Sequence, residues 1–369
     1  MVSGPPQRKC LQPNNINKMK VALINPAELE MSPYLRTYME ALEKARIDYD
    51  LIEWRRDIPS KEKKEHIISY NYSSSIRKRP IRKLMDYWRF ACFAKSTIKS
   101  NKYNRIIVFE YQTALFLRRF LTKEYANNYI LDVRDYSGRF KYIRSLVKPV
   151  DMNAYARVVS SPGYKEWTTP VKKEVVCHNT TIERLEIAED IMASPFKNST
   201  IILTNGVLRN YVMDKRVVDA FKGYNVHFWF AGKGKDSDYY QALSDNDENV
   251  EYTGYYKRED ELSMAKKASF INIFLEETPC YNTAMSNRFY LSLIVGVPMI
   301  VNSQNVQSKY VTKYHLGIVA DTPLDLPMRM EEFMSNFDIN IYNKGRREVI
   351  AQIKDEILSF QHLLIDFVR

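Results

Sequence analysis

Short apolar runs rich in β-branched residues punctuate the chain, and apolar residues at helical spacing fill the intervals. The first run is KVALIN (20–25), followed by the helical pattern PYLRTYMEALEKA and then YDLIEW (49–54). RIIVFE (105–110), YILDV (129–133), ARVVSS (156–161) and EVVCHN (174–179) continue the series. Runs of this length read as buried strands, and the helices between them predict a parallel sheet covered on both faces. A second series comprises TIILTNG (200–206), VHFWFAG (226–232), VEYTG (250–254), ASFINIFL (268–275), PMIVN (298–302) and LGIVAD (316–321). Its members recur about every 20–30 residues, the length of a βα unit.

The expectation is an α/β protein of two doubly wound domains, 19–180 and 181–345. The join lies near 178–199, where HNTTIERLEIAED begins as a polar loop and SPFKNS is turn-like. Residues 346–369 read as C-terminal helices that pack back on the first domain. Residues 1–18, polar with Pro and Asn, read as a disordered extension, and Met19 as the natural start. No tight internal repeat and no low-complexity tract interrupts the pattern.

At 369 residues, 45% of them hydrophobic and 27% charged, the chain has the composition of a globular protein. No apolar run reaches the roughly 18–20 residues that cross a bilayer, and MVSGPPQRKCLQPNNINK lacks the apolar core of a signal peptide. Cys10, Cys92, Cys177 and Cys280 share no metal-like or disulfide-like spacing and read as reduced thiols in a cytosol. The five His are scattered, so the expected metal complement is none. The net charge of +11 suits anionic partners: nucleic acid, a membrane surface or phosphorylated substrates. Part of it is local. RKRPIRKLMDYWRFACFAKSTIK (77–99) holds eight Lys/Arg, while Ile81, Leu84, Met85, Trp88 and Cys92 follow helical spacing. Such a helix either packs on its own domain or faces anionic lipid through Arg77, Lys78, Arg79, Arg82 and Lys83.

Four stretches carry candidate chemistry. In NTAMSNRFYLSLIVGVPMIV (282–301), Ser286 is a helix N-cap, Gly296 the stop, and Pro298 prevents continuation. Asn287 and Arg288 then occupy the first turn, where the helix dipole disfavours a cation unless an anion shares the place. The alternative is an Arg that reaches solvent or a nearby carboxylate. In TNGVLRNY (204–211), Gly206 and Arg209 again set a cation beside a strand end, with Lys215 and Arg216 following. In FAGKGKDSDYY (230–240), Gly232, Lys233 and Gly234 have the pattern of an anion-binding nest. As a dinucleotide fingerprint G-x-G is weak, and the loop NPAELEMSP after the first strand has no Gly. In LDVRDYSG (131–138), Asp132, Arg134 and Asp135 follow a strand, either as an ion pair or as carboxylates that hold a hydroxylated acceptor.

The order GVLRNY, FAGKG, NVEYTGYY, NTAMSNRFYLSLIVGVP resembles bacterial glycosyltransferases of the GT-B fold, in the GT4-like retaining group. LDVRDYSG followed by VVSSPGYKEW resembles the first domain of capsule and exopolysaccharide transferases. The resemblance covers roughly residues 100–320 and is strongest over 200–302. It implies two Rossmann-like domains facing each other across a cleft, the first for the acceptor and the second for the nucleotide-sugar. Gly206, Arg209, Ser286, Asn287 and Arg288 would face the donor diphosphate, with Gly232 and Lys233 in the same donor site. The backbone at Gly254 and Tyr255 would border the base. Asp135 would serve the acceptor, and His178 and Asn179 would lie at the hinge, where a mere linker turn is the alternative. The implied donor is in first place a UDP-sugar, with no metal, because cations and helix N-termini balance the leaving diphosphate. The implied acceptor is a glycan or lipid-linked glycan, at the cytoplasmic face of an anionic membrane.

Two positions depart from the pattern. Leu291 stands where the family often has a Glu that contacts the donor ribose, and Thr283 where its partner lies eight residues earlier. Glu276 and Glu277 are near but offer no pair at that spacing. Leu cannot accept a ribose hydrogen bond, so the second reading is a non-catalytic glycosyltransferase-like binding subunit. Nucleic-acid binding rests on charge alone, without a recognition motif.

Overall fold

The computed structural model describes residues 19–56, 65–74, 80–136, 138, 140–196 and 199–369. The extension 1–18 and the cations Arg77, Lys78 and Arg79 lie outside them.

The first domain contains β1 (Lys20–Asn25), α1 (Leu35–Lys44), β2 (Asp48–Arg55), β3 (Ile67–Asn71), α2 (Pro80–Asn101), β4 (Arg105–Phe109), α3 (Tyr111–Phe116), α4 (Arg118–Glu124), β5 (Tyr129–Val133), α5 (Phe140–Asn153), β6 (Ala156–Val159) and β7 (Glu174–Val176). The second contains β8 (Thr200–Val207), α7 (Tyr211–Ala220), β9 (Val226–Lys233), α8 (Ser237–Asn246), β10 (Val250–Gly254), α9 (Glu261–Ala265), β11 (Phe270–Ile273), α10 (Pro279–Thr283), α11 (Asn287–Val295), β12 (Met299–Asn302), α12 (Val306–Tyr314), β13 (Gly317–Ala320) and α13 (Leu326–Ser335). The short helix α6 (Ile182–Glu186) lies in the join, and α14 (Ile339–Val368) ends the chain.

The strand orders are β3-β2-β1-β4-β5-β6-β7 and β10-β9-β8-β11-β12-β13, with every pairing parallel. Both are doubly wound, and each reverses direction once, at β1/β4 and at β8/β11. Ligands of such sheets bind in the crevice at the carboxyl ends beside the reversal. The central strands read as strands because they are buried on both faces: β5 is buried at all five positions. The strand that the pattern missed, β3, is an edge strand with no fully buried position, so it carries no continuous apolar run.

Helices α2 to α5 cover one face of the first sheet, with Trp54, Phe90, Phe120 and Val147 in one core. The other face is covered by α1 and by the end of α14, whose Phe360, Leu363, Leu364 and Phe367 pack with Leu23, Tyr38 and Ile107. The beginning of α14 belongs elsewhere: Tyr342, Val349 and Ile353 lie in the core of the second domain. The C-terminal segment is thus one 30-residue helix that spans both domains.

On α2 the row expected from spacing does not face the core. Phe90, Ala91, Ala94 and Ile98 do, while Ile81, Leu84, Met85 and Trp88 are exposed.

Candidate functional site

The carboxyl ends of the two sheets enclose a cavity of about 350 Å3. Residues 204–210, the end of β8 and the loop that follows it, and 284–288, before and within α11, form the second domain's wall, at the β8/β11 reversal. Arg134, Asp135, Ser160, Tyr164 and Asn179 form the facing wall.

The α11 mouth is built by local rules. Ser286 has extended dihedrals and its hydroxyl accepts the Arg288 N–H at 3.3 Å, the N-cap bond. At the other end, Gly296 has φ 74°. A Cβ there would sit 2.3 Å from Ile191 Cγ2 and 3.0 Å from Arg346 Nη1, so only glycine fits. The buried Arg346 guanidinium donates to the carbonyls of Leu293 (2.7 Å) and Ile294 (3.4 Å), a cation on the negative end of the helix.

Arg288 and Arg209 both line the cavity. Arg288 Nη1 donates to the Asn272 carbonyl. Burial lowers its pKa from the ordinary arginine value, with buried Asp214 opposing and Arg209 adding to the fall. Asp214 accepts from Tyr240 at 2.5 Å and from Asn272 at 2.9 Å. Burial pushes its carboxyl up to about 6, against the pull of Arg288. Arg209 is exposed, its guanidinium 6.0 Å from the Tyr281 ring centroid. Two guanidinium groups and the positive end of the α11 dipole therefore share one wall of the cavity, an arrangement suited to a polyanion.

Gly206, with φ 100°, lines the cavity, and a Cβ there would meet nothing within 4 Å. The Gly232-Lys233-Gly234 stretch does not line it and is no nest. Cβ atoms at Gly232 and Gly234 would stand 1.8 Å from the Gly206 and Leu208 carbonyl oxygens, so these glycines let two neighbouring strand ends touch. The Gly234 N–H is taken by Ser237 Oγ at 2.9 Å. Lys215 and Arg216 sit on α7 outside the lining, Lys215 paired with Asp219 at 2.6 Å. Gly254 (φ 66°) ends β10, and Tyr255 is 72% exposed and outside the lining. Its neighbour Tyr256 turns inward instead: Asn205 Nδ2 donates to its hydroxyl at 3.2 Å, and the hydroxyl meets Glu261 Oε1 at 3.4 Å. Glu261, held by Arg184 from the join, lines the cavity together with Asn205 and Leu291. Glu276 and Glu277 are exposed and outside it.

On the first domain Asp135 is exposed and reaches the cavity. Asp132 does not. It is completely buried, accepting from the Tyr38 hydroxyl and, at 2.6 Å, from Arg134 Nη2. Arg134 also donates to the Cys177 carbonyl at 3.0 Å and to Asn179 Oδ1 at 3.4 Å. The Asp132–Arg134 pair is thus a fixed strut, and only Asp135 of the three stays free for a ligand. Sequence reading passed over Glu110. It follows β4 with φ 70° and ψ 140°, a strained backbone for a residue with a Cβ. Its carboxyl takes a hydrogen bond from the Asp135 N–H, and burial, with Asp135 and Asp132 close by, raises its pKa well above the usual range.

His178 ties three segments. Its Nε2 meets Glu356 of α14 at 2.6 Å and its Nδ1 meets the Tyr290 hydroxyl of α11 at 2.8 Å. Thr283 is buried in a contact between domains: its carbonyl accepts from Ser161 Oγ and its hydroxyl from Trp167 Nε1 at 3.2 Å. Among the described residues no group of three or more His, Cys, Asp or Glu is placed to hold a metal ion, and no helix is long and apolar enough to cross a membrane.

No protein-family model matches the chain, and no curated protein does. Solved structures do. A sucrose-phosphate synthase from Thermosynechococcus elongatus superposes with a TM-score of 0.70 at 12% identity, over 94% of this chain and 98% of that one. The lipopolysaccharide outer core galactosyltransferase WaaB gives 0.63 at 15% identity, over 92% and 99%. Anabaena HepE, in complex with UDP and glucose, gives 0.63 at 11% identity, over 93% and 99%. The fold is that of GT-B glycosyltransferases. At these identities the likeness concerns architecture, and it extends over more than nine-tenths of this chain.

Proposed function

We propose that the protein transfers a sugar from a nucleotide-sugar, a UDP-sugar in first place, to a growing lipid-linked surface polysaccharide, with retention at the anomeric carbon. The observation that carries this reading is the meeting of Arg209, Arg288 and the α11 N-terminus at the reversal point of the second sheet. A diphosphate there is neutralised as the bond to the sugar breaks, without a metal ion. Ser286, Asn287 and Gly206 border it. Asn205, Tyr256 and Glu261 replace Gly254 and Tyr255 as the groups beside the nucleoside. Asp135 accepts the hydrogen bond of the attacking acceptor hydroxyl from the opposite wall, and His178 with Asn179 forms the hinge. The acceptor's lipid places the work on the cytoplasmic face of the cell membrane.

A second reading, a non-catalytic binding subunit, is favoured by Leu291, an apolar side chain in the cavity wall, and by Thr283, spent on a domain contact. Calorimetric titration with UDP, GDP, ADP, CMP and TDP separates the two. The transfer reading expects one nucleotide to bind and Arg288→Ala to lose most of that affinity. Silence toward all five at millimolar concentration, with a stable protein partner in a pull-down, establishes the subunit instead.

A further inference from the structure

Helix α2 is apolar on two opposite sides. Phe90, Ala94 and Ile98 are completely buried and fill the space over the first sheet. On the far side Ile81, Leu84, Met85 and Trp88 are 74%, 48%, 49% and 55% exposed, and Cys92 extends the row. The spacing i, i+3, i+4, i+7, i+11 makes one continuous stripe about 16 Å long. The core stripe alone accounts for the folding of this helix, so the outer stripe has no folding role.

Charge indicates the occupant. Arg82, Arg89, Lys95 and Lys99 accompany the stripe, Lys99 with Glu124 at 3.0 Å, whereas Lys83 lies in register with Phe90 on the core side; the one acid of the helix, Asp86, is buried and bonded to Ser74 at 2.6 Å. Helix α5, in the same layer on the same sheet face, repeats the composition: Tyr142 and Leu146 are exposed, with Arg144 and Lys148 beside them. Both helices start from the carboxyl edge of the sheet, the edge that opens into the cleft. An apolar stripe with cations along its flanks and an exposed Trp within it is the pattern of a surface helix lying in a lipid headgroup layer.

We propose that α2, assisted by α5, docks the first domain on an anionic lipid bilayer, with Ile81, Leu84, Met85 and Trp88 entering the acyl boundary. The surface stands apart from the transfer reading, which explains only why a membrane would be useful.

The test uses the full chain and vesicles of phosphatidylcholine, with and without phosphatidylglycerol, at low and high salt. Two variants accompany it: Met85→Ser with Trp88→Ser, and Arg82→Gln with Lys95→Gln and Lys99→Gln. The wild type should co-sediment with anionic vesicles, less at high salt. The cation variant should lose roughly a hundredfold, at about fivefold per charge. The apolar variant should bind at least about tenfold more weakly. Both should melt as the wild type does. Wild-type binding that is absent, or equal on neutral vesicles, overturns the proposal, as does an apolar variant that binds unchanged. A concentration-dependent dimer that the apolar variant dissolves assigns the stripe to a second copy instead. UDP titration of the same samples keeps the two readings separate, because a dead nucleotide site leaves vesicle binding intact.

Discussion

Replacing Arg288 with Met removes a cation and keeps most of the stem, and it should act on ligand and fold in different ways. A charge-assisted hydrogen bond contributes about 1.5–3 kcal/mol, and a guanidinium can offer two to one phosphate. A loss of about 2–4 kcal/mol in UDP affinity follows, roughly 30- to 1000-fold. The fold responds through Asp214. Its carboxyl titrates at about 6 in the folded protein against 3.8 for an ordinary aspartate. The folded state therefore holds a proton that the unfolded chain has released, and stability falls as pH rises through that window. The total is roughly 3 kcal/mol by linkage. Arg288 limits this fall, since it opposes the effect of burial. In Arg288→Met the carboxyl should titrate higher and the loss should continue past pH 6. Thermal melts from pH 5 to 8 should then show a gap between variant and wild type that widens with pH. Calorimetry with UDP supplies the affinity. A gap constant across pH would refute the coupling of Arg288 to Asp214, and UDP affinity within threefold of the wild type would refute its place at the diphosphate.

Three further outcomes are expected. Gly296→Ala places a Cβ at positive φ and against Ile191 and Arg346, and should cost about 2–3 kcal/mol in denaturant unfolding; a cost below half of that removes the steric argument. Gly163→Ala brings a Cβ to 2.4 Å from the Thr283 carbonyl across the domain contact. It should lower stability by about 1–3 kcal/mol, and limited proteolysis should show earlier cleavage in the join. Glu110→Gly removes strain at φ 70° together with a buried carboxyl, so unfolding should become harder by about 1–2 kcal/mol. A lower melting temperature would mean that the Glu110 contact with Asp135 outweighs the strain.

The two sheets were legible because central parallel strands such as β5 have no polar face to blur the pattern. Edge strands escape that logic: β3 is partly wet throughout and leaves no apolar signature. The α11 mouth was legible because N-cap and stop signals are local, as Ser286 and Gly296 show. The Gly232–Gly234 pair was misread because a glycine that admits a ligand and one that admits a neighbouring strand look alike in sequence. Asp132, near the end of β5, and Asp135, in the loop after it, are three positions apart, yet one is sealed beneath Arg134 and the other meets the cleft. Glu261, Tyr256 and Asn205 form a group only through strand pairing, and Glu110 is marked by a dihedral angle that no residue type announces. On α2 the spacing revealed a stripe but not which side faced in.

The crossing of α14 has a consequence for the order of synthesis. Phe360, Leu364 and Phe367 complete the core over the first sheet, yet they follow the last strand of that sheet by almost two hundred residues. At ribosomal speeds of about 5–20 residues per second, the first domain waits roughly 10–40 s with that face covered by α1 but not by α14. The amino-terminal half is therefore a poor candidate for expression by itself. A chaperone holding that face during translation would be displaced by the helix that arrives last.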